Sequence, residues 1–300
     1  MKVFLTGASG VMGRSSIEAL HHAGHDVVGL VRTDEHAAQV AATGAQPWRG
    51  DLYDGATLTA GMQGCDAVAN LATKVPVGRA ALRPGSLKAI DRIRLFGSRV
   101  VAEAAQRAGV GRMVQQSLSF IYAEQDDDWI DEHSPVDVTR ATEPVVVAED
   151  NVRAFAAAGG ESVSLRFGLI TGDDPNTAFL FRRAAAGRSI GLGEELSWMH
   201  VIHPDDVGTA VVHALTAPGG IYNVGSEPVQ RRDYVDTIAL AAGRKAGHFL
   251  PPWLLRLGAE KLEILTRSQR VSSQLFSDRT GWHPSHPKLT PDWFDELVRA

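Results

Sequence analysis

Three glycines near the start of the chain have the spacing of a loop that binds phosphates. Residues 2–13 read KVFLTGASGVMG, an apolar strand pattern followed by Gly7, Gly10 and Gly13. Gly7 allows a tight turn, Gly10 lets the backbone approach a pyrophosphate, and Gly13 lets a helix pack closely on the strand. The N–H groups that begin this helix would bind the phosphates. The sequence therefore predicts a dinucleotide site, with a purely structural turn as the alternative.

The end of the second predicted strand indicates which nicotinamide cofactor to expect. A strand that binds NAD usually ends in an acidic residue, but here Val31 takes that place and Arg32 follows. A guanidinium can pair with a 2′-phosphate, so the sequence favours NADP, while NAD stays open. In the alternative, Arg32 lies on an exposed loop and Asp34 binds the ribose. The residues predicted to bind the cofactor are Gly7, Ser9, Gly10, Val11, Met12, Gly13, Arg32, Asp51, Leu52, Leu71, Ala72, Thr73 and Ser117.

Composition and charge argue against several classes of protein. The chain has 300 residues, 44% of them hydrophobic, and a net charge of −5 without a basic block, so we expect neither nucleic acid nor a membrane surface as partner. The single Cys65 excludes an internal disulfide and fits a reducing compartment. Neither a signal peptide pattern nor a long apolar stretch is found, so a cytoplasmic protein is expected. A small-molecule substrate is expected, and a homodimer is left open.

Strand and helix patterns alternate through the first half of the chain. This alternation predicts an α/β fold of the Rossmann type, a doubly wound parallel sheet with helices on both faces. We expect residues 1–167 to form the dinucleotide-binding domain and residues 168–300 mainly a smaller substrate-binding lobe, with part of 200–224 returning to the core. The predicted helices are 11–23, 35–42, 87–108, 205–216, 234–242, 253–265 and 291–298.

Motifs along the whole chain resemble those of the short-chain dehydrogenase/reductase superfamily. The match is best to its extended and atypical branch, the NAD-dependent epimerase/dehydratase family. It rests on TGASGVMG from residue 6, GDL from 50, QSLSFIY from 116, LRFGLITG from 165 and HPDDV from 203. The resemblance implies a Rossmann fold, a nicotinamide cofactor and hydride transfer on a small organic molecule.

The catalytic pattern of that superfamily is missing from this chain. Members usually use a tyrosine as acid or base, with a lysine four residues later and a serine or threonine. None of the four tyrosines has a lysine four residues on. Counting back from Glu149 places Val145 at the lysine position and Ala141 at the tyrosine position. The serine position falls at Leu118, between Ser117 and Ser119.

Three other residues are candidates for the proton transfer. Tyr122 and Lys74 each follow a predicted strand at its carboxyl end, and Ser119 could donate a hydrogen bond to a carbonyl oxygen. The alternatives are a packing role for Tyr122 and a solvated Lys74. His200 and His203 lie close to two aspartates, but their loose spacing does not predict a metal site.

Three functions fit the sequence. The first is an NAD(P)-dependent oxidoreductase or isomerase with an unusual acid group. The second is an NADP-binding sensor or partner-binding protein without turnover, which the missing dyad favours. The third is a sugar-nucleotide epimerase or dehydratase, a reaction that normally uses the missing tyrosine and lysine.

Overall fold

A parallel sheet of seven strands forms the centre of the fold. The computed structural model describes residues 1–251, 253 and 264–299. The strands of the sheet are β1 (Lys2–Thr6), β2 (Asp26–Val31), β3 (Gln46–Arg49), β4 (Ala67–Asn70), β5 (Arg112–Leu118), β7 (Glu161–Phe167) and β11 (Gly220–Val224). Their order is β3–β2–β1–β4–β5–β7–β11, and every neighbouring pair is parallel. The predicted α/β fold of the Rossmann type is confirmed.

Helices cover both faces of this sheet. The helices of the described residues, both on the sheet and outside it, are α1 (Val11–His22), α2 (Asp34–Ala42), α3 (Gly55–Met62), α4 (Lys88–Arg92), α5 (Ser98–Ala108), α6 (Glu143–Ala157), α7 (Pro175–Ala185), α8 (Pro204–Ala214), α9 (Arg231–Ala241), α10 (Gln274–Thr280) and α11 (Asp295–Arg299). One apolar core lies between the sheet and helices α1, α2, α8 and α10. A second core lies on the other face, under α3, α5 and α6. Successive residues of each central strand point to opposite cores, as the period of a strand requires.

A smaller cluster of elements lies outside the sheet. Its core joins α7 and α9 to the short 3-10 turn Pro291–Phe294, through Ala184, Ile238 and Phe294 among others. Short strand pairs accompany it: β8 (Leu169–Ile170) with β10 (Val201–Ile202), β9 (Trp198–Met199) with β12 (Val229–Gln230), and β6 (Trp129–Ile130) with β13 (Arg270–Val271). That this lobe binds the substrate remains a prediction.

The observed helices differ from the predicted ones at several points. The helix expected at 87–108 is interrupted by a π-helical turn, Ile93–Gly97, between α4 and α5. Helix α7 lies where only short elements were expected; its start signal is Asp174, whose side chain accepts hydrogen bonds from the N–H groups of the second and third residues after it, ahead of Pro175. The helix predicted at 253–265 falls on residues of which the structure describes only three. Among described residues, no helix is long and apolar enough to cross a membrane.

Candidate functional site

The glycine loop has the shape of a phosphate cradle. Gly7 has φ +71°, and a Cβ there would lie 2.7 Å from the carbonyl oxygen of Leu71. A Cβ on Gly13 would lie 2.2 Å from the Gly7 oxygen, so this glycine permits the close contact between β1 and α1. Gly10 is exposed, and its Cβ would meet only the Gly7 oxygen, at 3.3 Å. The residues therefore fit a pyrophosphate, which would occupy the space above Gly10.

Helix α1 begins without a side-chain cap. Gly10 stands at its N-cap and offers no side-chain acceptor, so the first N–H groups of the helix are available to an anion. Polar caps begin α2 and α3 instead: Thr33 accepts from the His36 N–H, and Asp54 accepts from the N–H groups two and three residues later. Of the other predicted contacts in this loop, Ser9 and Val11 are half-buried and Met12 is buried.

The end of β2 presents Arg32 to solvent. Val31 is buried and Arg32 is exposed, so its guanidinium is free to meet a ligand at this edge. Asp34, the alternative ribose ligand, forms an exposed ion pair with Arg49. Arg32 and Asp34 therefore both stand exposed at this edge, and which of them meets the ribose remains a prediction.

The predicted adenine contacts lie in the loop that follows β3. The carboxylate of Asp51 is exposed and accepts a hydrogen bond from the Tyr53 N–H at 2.9 Å. Leu52 is buried and packs against the α-carbon of Gly97 in the π-helical turn. The guanidinium of Arg92 lies 4.1 Å from the centre of the Tyr53 ring. Contacts with Arg92 and Gly97 therefore hold this loop against the helical segment that precedes β5.

A chain of hydrogen bonds links the last residues of β1 and β4 to the middle of β5. The Thr6 hydroxyl donates to Asn70 Oδ1 at 2.5 Å, and Asn70 Nδ2 donates to Gln115 Oε1 at 2.7 Å. The Ala72 N–H donates in turn to the Thr6 hydroxyl at 3.3 Å. These bonds fix the floor of the cleft, where ligands of open α/β sheets bind.

Lys74 lies on the loop that follows β4. The first residues of this loop touch the glycine loop, since a Cβ on Gly7 would lie 2.9 Å from the α-carbon of Ala72. Leu71 is buried, Ala72 is half-buried, and Thr73 and Lys74 are exposed. Within the described residues, the Lys74 ammonium has no hydrogen bond or ion pair. Of the three proton-transfer candidates, Lys74 is the exposed one.

Tyr122 and Ser119 are both fully buried. The Tyr122 hydroxyl donates to Asn223 Oδ1 at 2.8 Å and accepts from Arg166 Nη1 at 2.9 Å. Burial raises the pKa of Tyr122 above its ordinary value. The Ser119 hydroxyl lies 3.0 Å from Nδ1 of His200, and burial lowers the pKa of His200 to about 3. Both hydroxyls are thus closed off from solvent, and the catalytic roles of Tyr122, Ser119 and Lys74 remain predictions.

Ser117 belongs to a buried network that sequence reasoning missed. Its hydroxyl donates to Glu149 Oε1 at 2.5 Å, and Glu149 also pairs with Arg166. Although burial alone would lower it, the hydrogen bonds to Glu149 raise the pKa of Arg166. The strand register brings Ser117, Arg166 and Asn223 into one row across β5, β7 and β11. Val145, at the expected lysine position, is buried on α6.

Two histidines stack where α8 begins. The rings of His203 and His286 lie 3.8 Å apart, and ligand atoms of both and of Asp205 lie within 4.8 Å of one another. The two Nδ1 atoms already have partners, since His203 Nδ1 accepts from the Asp205 N–H and His286 Nδ1 faces Asp206. Asp206 also accepts two backbone N–H groups, from Ser285 and His286. The arrangement resembles a helix cap, and the absence of a metal here remains a prediction.

Comparison with known proteins agrees with these features. The model of the NAD dependent epimerase/dehydratase family matches residues 3–225. The chain is 28% identical over 322 residues to the 3-diazoavenalumate denitrifying reductase of a Streptomyces species, with 100% of both chains covered. It is 26% identical over 266 residues to the 2-alkyl-3-oxoalkanoate reductase of Stenotrophomonas maltophilia, which covers 81% of this chain and 76% of that protein.

A solved structure shows the same fold over almost the whole length. The UDP-glucose 4-epimerase of Thermus thermophilus, in complex with NAD, superposes with a TM-score of 0.77 at 24% identity and covers 98% of this chain and 99% of that one. Family and relatives together support a nicotinamide cofactor and an oxidoreductase or epimerase reaction. The chain belongs to the NAD-dependent epimerase/dehydratase family, within the short-chain dehydrogenase/reductase superfamily.

Proposed function

We propose that this protein is an NADPH-dependent reductase of a carbonyl group in a small organic molecule. The observation that carries the proposal is the exposed, unpaired Lys74 on the loop that touches the glycine cradle. Two relatives that match along most of the chain are reductases by name, and one of them acts on a 2-alkyl-3-oxoalkanoate. Such a compound contains both a ketone and a carboxylate.

The preference for NADPH rests on Arg32. Its exposed guanidinium stands at the end of β2, and the carboxylate nearest in sequence, Asp34, is paired with Arg49. A 2′-phosphate would meet a cation here rather than a carboxylate, which favours NADP over NAD.

In the proposed reaction the hydride and the proton come from two different groups, the cofactor and Lys74. The nicotinamide, when bound, supplies a hydride to the carbonyl carbon. Lys74 supplies a proton to the carbonyl oxygen, so that the C=O bond becomes an alcohol, and the resulting amine regains its proton from solvent. The Thr6–Asn70–Gln115 hydrogen bonds keep the floor of the cleft rigid while this happens. General acid catalysis of this type contributes about 10²–10⁴-fold to a rate.

The test is turnover with a panel of carbonyl compounds. Purified protein is mixed with NADPH or NADH and with aldehydes, ketones and 3-oxo acids, and loss of the reduced nicotinamide absorbance is recorded. We expect oxidation of NADPH by at least one ketone, with a lower KM for NADPH than for NADH. Interconversion of UDP-glucose and UDP-galactose, measured in parallel, would instead assign the protein to the epimerases.

A cofactor-binding protein without turnover is the second candidate. It is favoured by the burial of Tyr122 and Ser119 and by the missing tyrosine–lysine pair. Tight NADPH binding in calorimetry, together with no oxidation by any member of the panel, would support this candidate and contradict the reductase.

A further inference from the structure

Arg94 stands in the middle of an apolar helix face. Its neighbours on that face, at spacings of four, three and four residues, are Ile90, Gly97 and Val101, and all of them are buried. Arg94 is itself only 6% exposed. A stripe with this spacing normally packs against the core with apolar side chains alone. A guanidinium in this stripe therefore needs a specific reason.

The guanidinium of Arg94 has no partner in the part of the chain that the structure describes. No hydrogen bond or ion pair reaches it, and Asp91, one turn earlier, acts on it only as a half-buried charge outside ion-pair distance. Other buried arginines are paired: Arg166 with the Glu149 carboxylate, and Arg231 with the carbonyl oxygen of Leu265. Most of the Arg94 side chain is out of water, and none of its nitrogens is among the fully enclosed polar atoms without a partner, so the guanidinium is both unpaired and open to a ligand.

The backbone around Arg94 is unusual as well. Residues Ile93–Gly97 form a π-helical turn, a conformation that is rare and occurs often at functional sites. The Ser98 hydroxyl donates to the Arg94 carbonyl oxygen at 2.5 Å, and Asn151 Nδ2 donates to the same hydroxyl at 2.8 Å. These bonds fasten the turn to α6. The two hydrogen bonds therefore stabilise the turn and fix the position of the Arg94 backbone.

The position of this turn connects it to the cofactor cleft. The helix leads into β5, so its first half lies at the carboxyl edge of the parallel sheet, where ligands bind. On one side the turn contacts the loop after β3, since a Cβ on Gly97 would lie 2.7 Å from Leu52 Cδ2. On the other side it meets α6, the helix on which the sequence places the missing lysine at Val145.

We propose that Arg94 binds an anionic oxygen group of a ligand in this cleft. The chemistry is that of a carboxylate or a phosphate, which a guanidinium binds with two parallel hydrogen bonds. Two sources can supply it: the carboxylate of an organic acid substrate, or the pyrophosphate of the cofactor. The first source rests on the proposed function, whereas the second requires only cofactor binding.

The test compares wild type with Arg94→Met and with a matched control, Arg99→Met. Arg99 is an exposed arginine of the same helix, with 58% of its side chain exposed. The probes are 3-oxooctanoate and its methyl ester, each with saturating NADP⁺, and NADPH and NADH alone. Binding is measured by calorimetry and by thermal shift, so no turnover is needed.

If Arg94 binds the substrate carboxylate, wild type and Arg99→Met should bind the acid at least about 10-fold more tightly than the ester. Arg94→Met should lose this preference. A phosphate site predicts that Arg94→Met weakens NADPH and NADH equally, by about 10-fold or more. Without ligand, Arg94→Met should melt no lower than wild type, because it removes an unpaired buried charge. The proposal is wrong if Arg94→Met keeps the acid preference and the affinities for NADPH and NADH, whatever its melting temperature. An absence of turnover with an intact acid preference would contradict the reductase alone.

Discussion

The guanidinium of Arg166 and the carboxylate of Glu149 form a two-point ion pair that fastens α6 to the end of β7. Arg166 Nε lies 2.9 Å from Glu149 Oε1, and Nη2 lies 2.8 Å from Oε2. Both side chains are buried, and the third arm of the guanidinium reaches the Tyr122 hydroxyl. The Glu149 carboxylate therefore holds Arg166 directly, and through Arg166 it also positions the Tyr122 hydroxyl.

Removing the charge of Glu149 should destabilise the fold strongly. In Glu149→Gln the buried Arg166 loses its counterion, and loss of one partner of a buried pair costs about 3–5 kcal/mol. Urea unfolding of Glu149→Gln and of the neighbouring Asp150→Asn provides the measurement. Asp150 pairs with Arg153 on the surface, so its loss should cost about 0–1 kcal/mol. Equal effects of the two substitutions would contradict the structural role assigned to Glu149.

The central strands and the glycine loop could be predicted because their signals are local. Apolar runs such as Val3–Leu5 mark buried strands, and the positive φ of Gly7 is a property of one residue in its turn. The buried network could not be predicted in this way. Ser117, Arg166 and Asn223 meet only through the register of three strands that are distant in the sequence.

Arg94 is an intermediate case. Its charge interrupts an otherwise apolar spacing of Ile90, Gly97 and Val101, so a signal was present in the sequence. The π-helical turn that accompanies it contacts Leu52 and α6, which come from other parts of the chain. Periodicity alone therefore predicts one long helix and misses the turn.

Arg32 should decide the preference between the two cofactors. Arg32→Ala is expected to weaken NADPH binding by on the order of 1.5–3 kcal/mol, the value of a charge-assisted hydrogen bond, and to leave NADH binding unchanged. Calorimetry with both cofactors measures this difference. Asp34→Asn tests the alternative, because a weakened NADH affinity in that variant would assign the ribose to Asp34. Equal affinities of wild type for NADPH and NADH would also refute the role of Arg32.

Two glycines of the cradle should respond differently to a side chain. Gly10→Val places a branched group where the pyrophosphate would lie, while the nearest atom to its Cβ is the Gly7 oxygen at 3.3 Å. We expect this variant to fold and to lose cofactor binding. Gly13→Ala puts a Cβ 2.2 Å from the same oxygen and should lower the melting temperature instead. Normal cofactor binding by folded Gly10→Val would show that the loop is not the phosphate cradle.

His200 should make the fold sensitive to acid. Its folded pKa of about 3 lies below the ordinary value of 6.5, because the ring is fully buried. The unfolded state binds more protons between these values, so the stabilisation is complete above pH 6.5 and is lost as the pH falls toward 3, by at most about 1.4 kcal/mol per pH unit.

Urea unfolding between pH 7 and pH 4 measures this slope. His200→Asn should flatten it, although His203, whose pKa burial also lowers, keeps a contribution of its own. The exposed His22→Asn is the matched control and should follow wild type. An unchanged slope in His200→Asn would assign the acid sensitivity to other groups.

Lys74 and Tyr122 offer the sharpest test of the chemistry, because the structure places them in opposite environments. Lys74 is exposed beside the glycine loop, so Lys74→Met should lower kcat about 10²–10⁴-fold with little change in cofactor affinity. Tyr122→Phe removes a buried hydroxyl bonded to Asn223 and Arg166, and should cost about 1–3 kcal/mol of stability while turnover persists. The exposed Lys88→Met serves as control.

The reverse result, with kcat lost in Tyr122→Phe and kept in Lys74→Met, would require the tyrosine to reach the substrate through an opening of the fold. Full activity in both variants would leave the proton transfer to water, to the substrate or to Ser119.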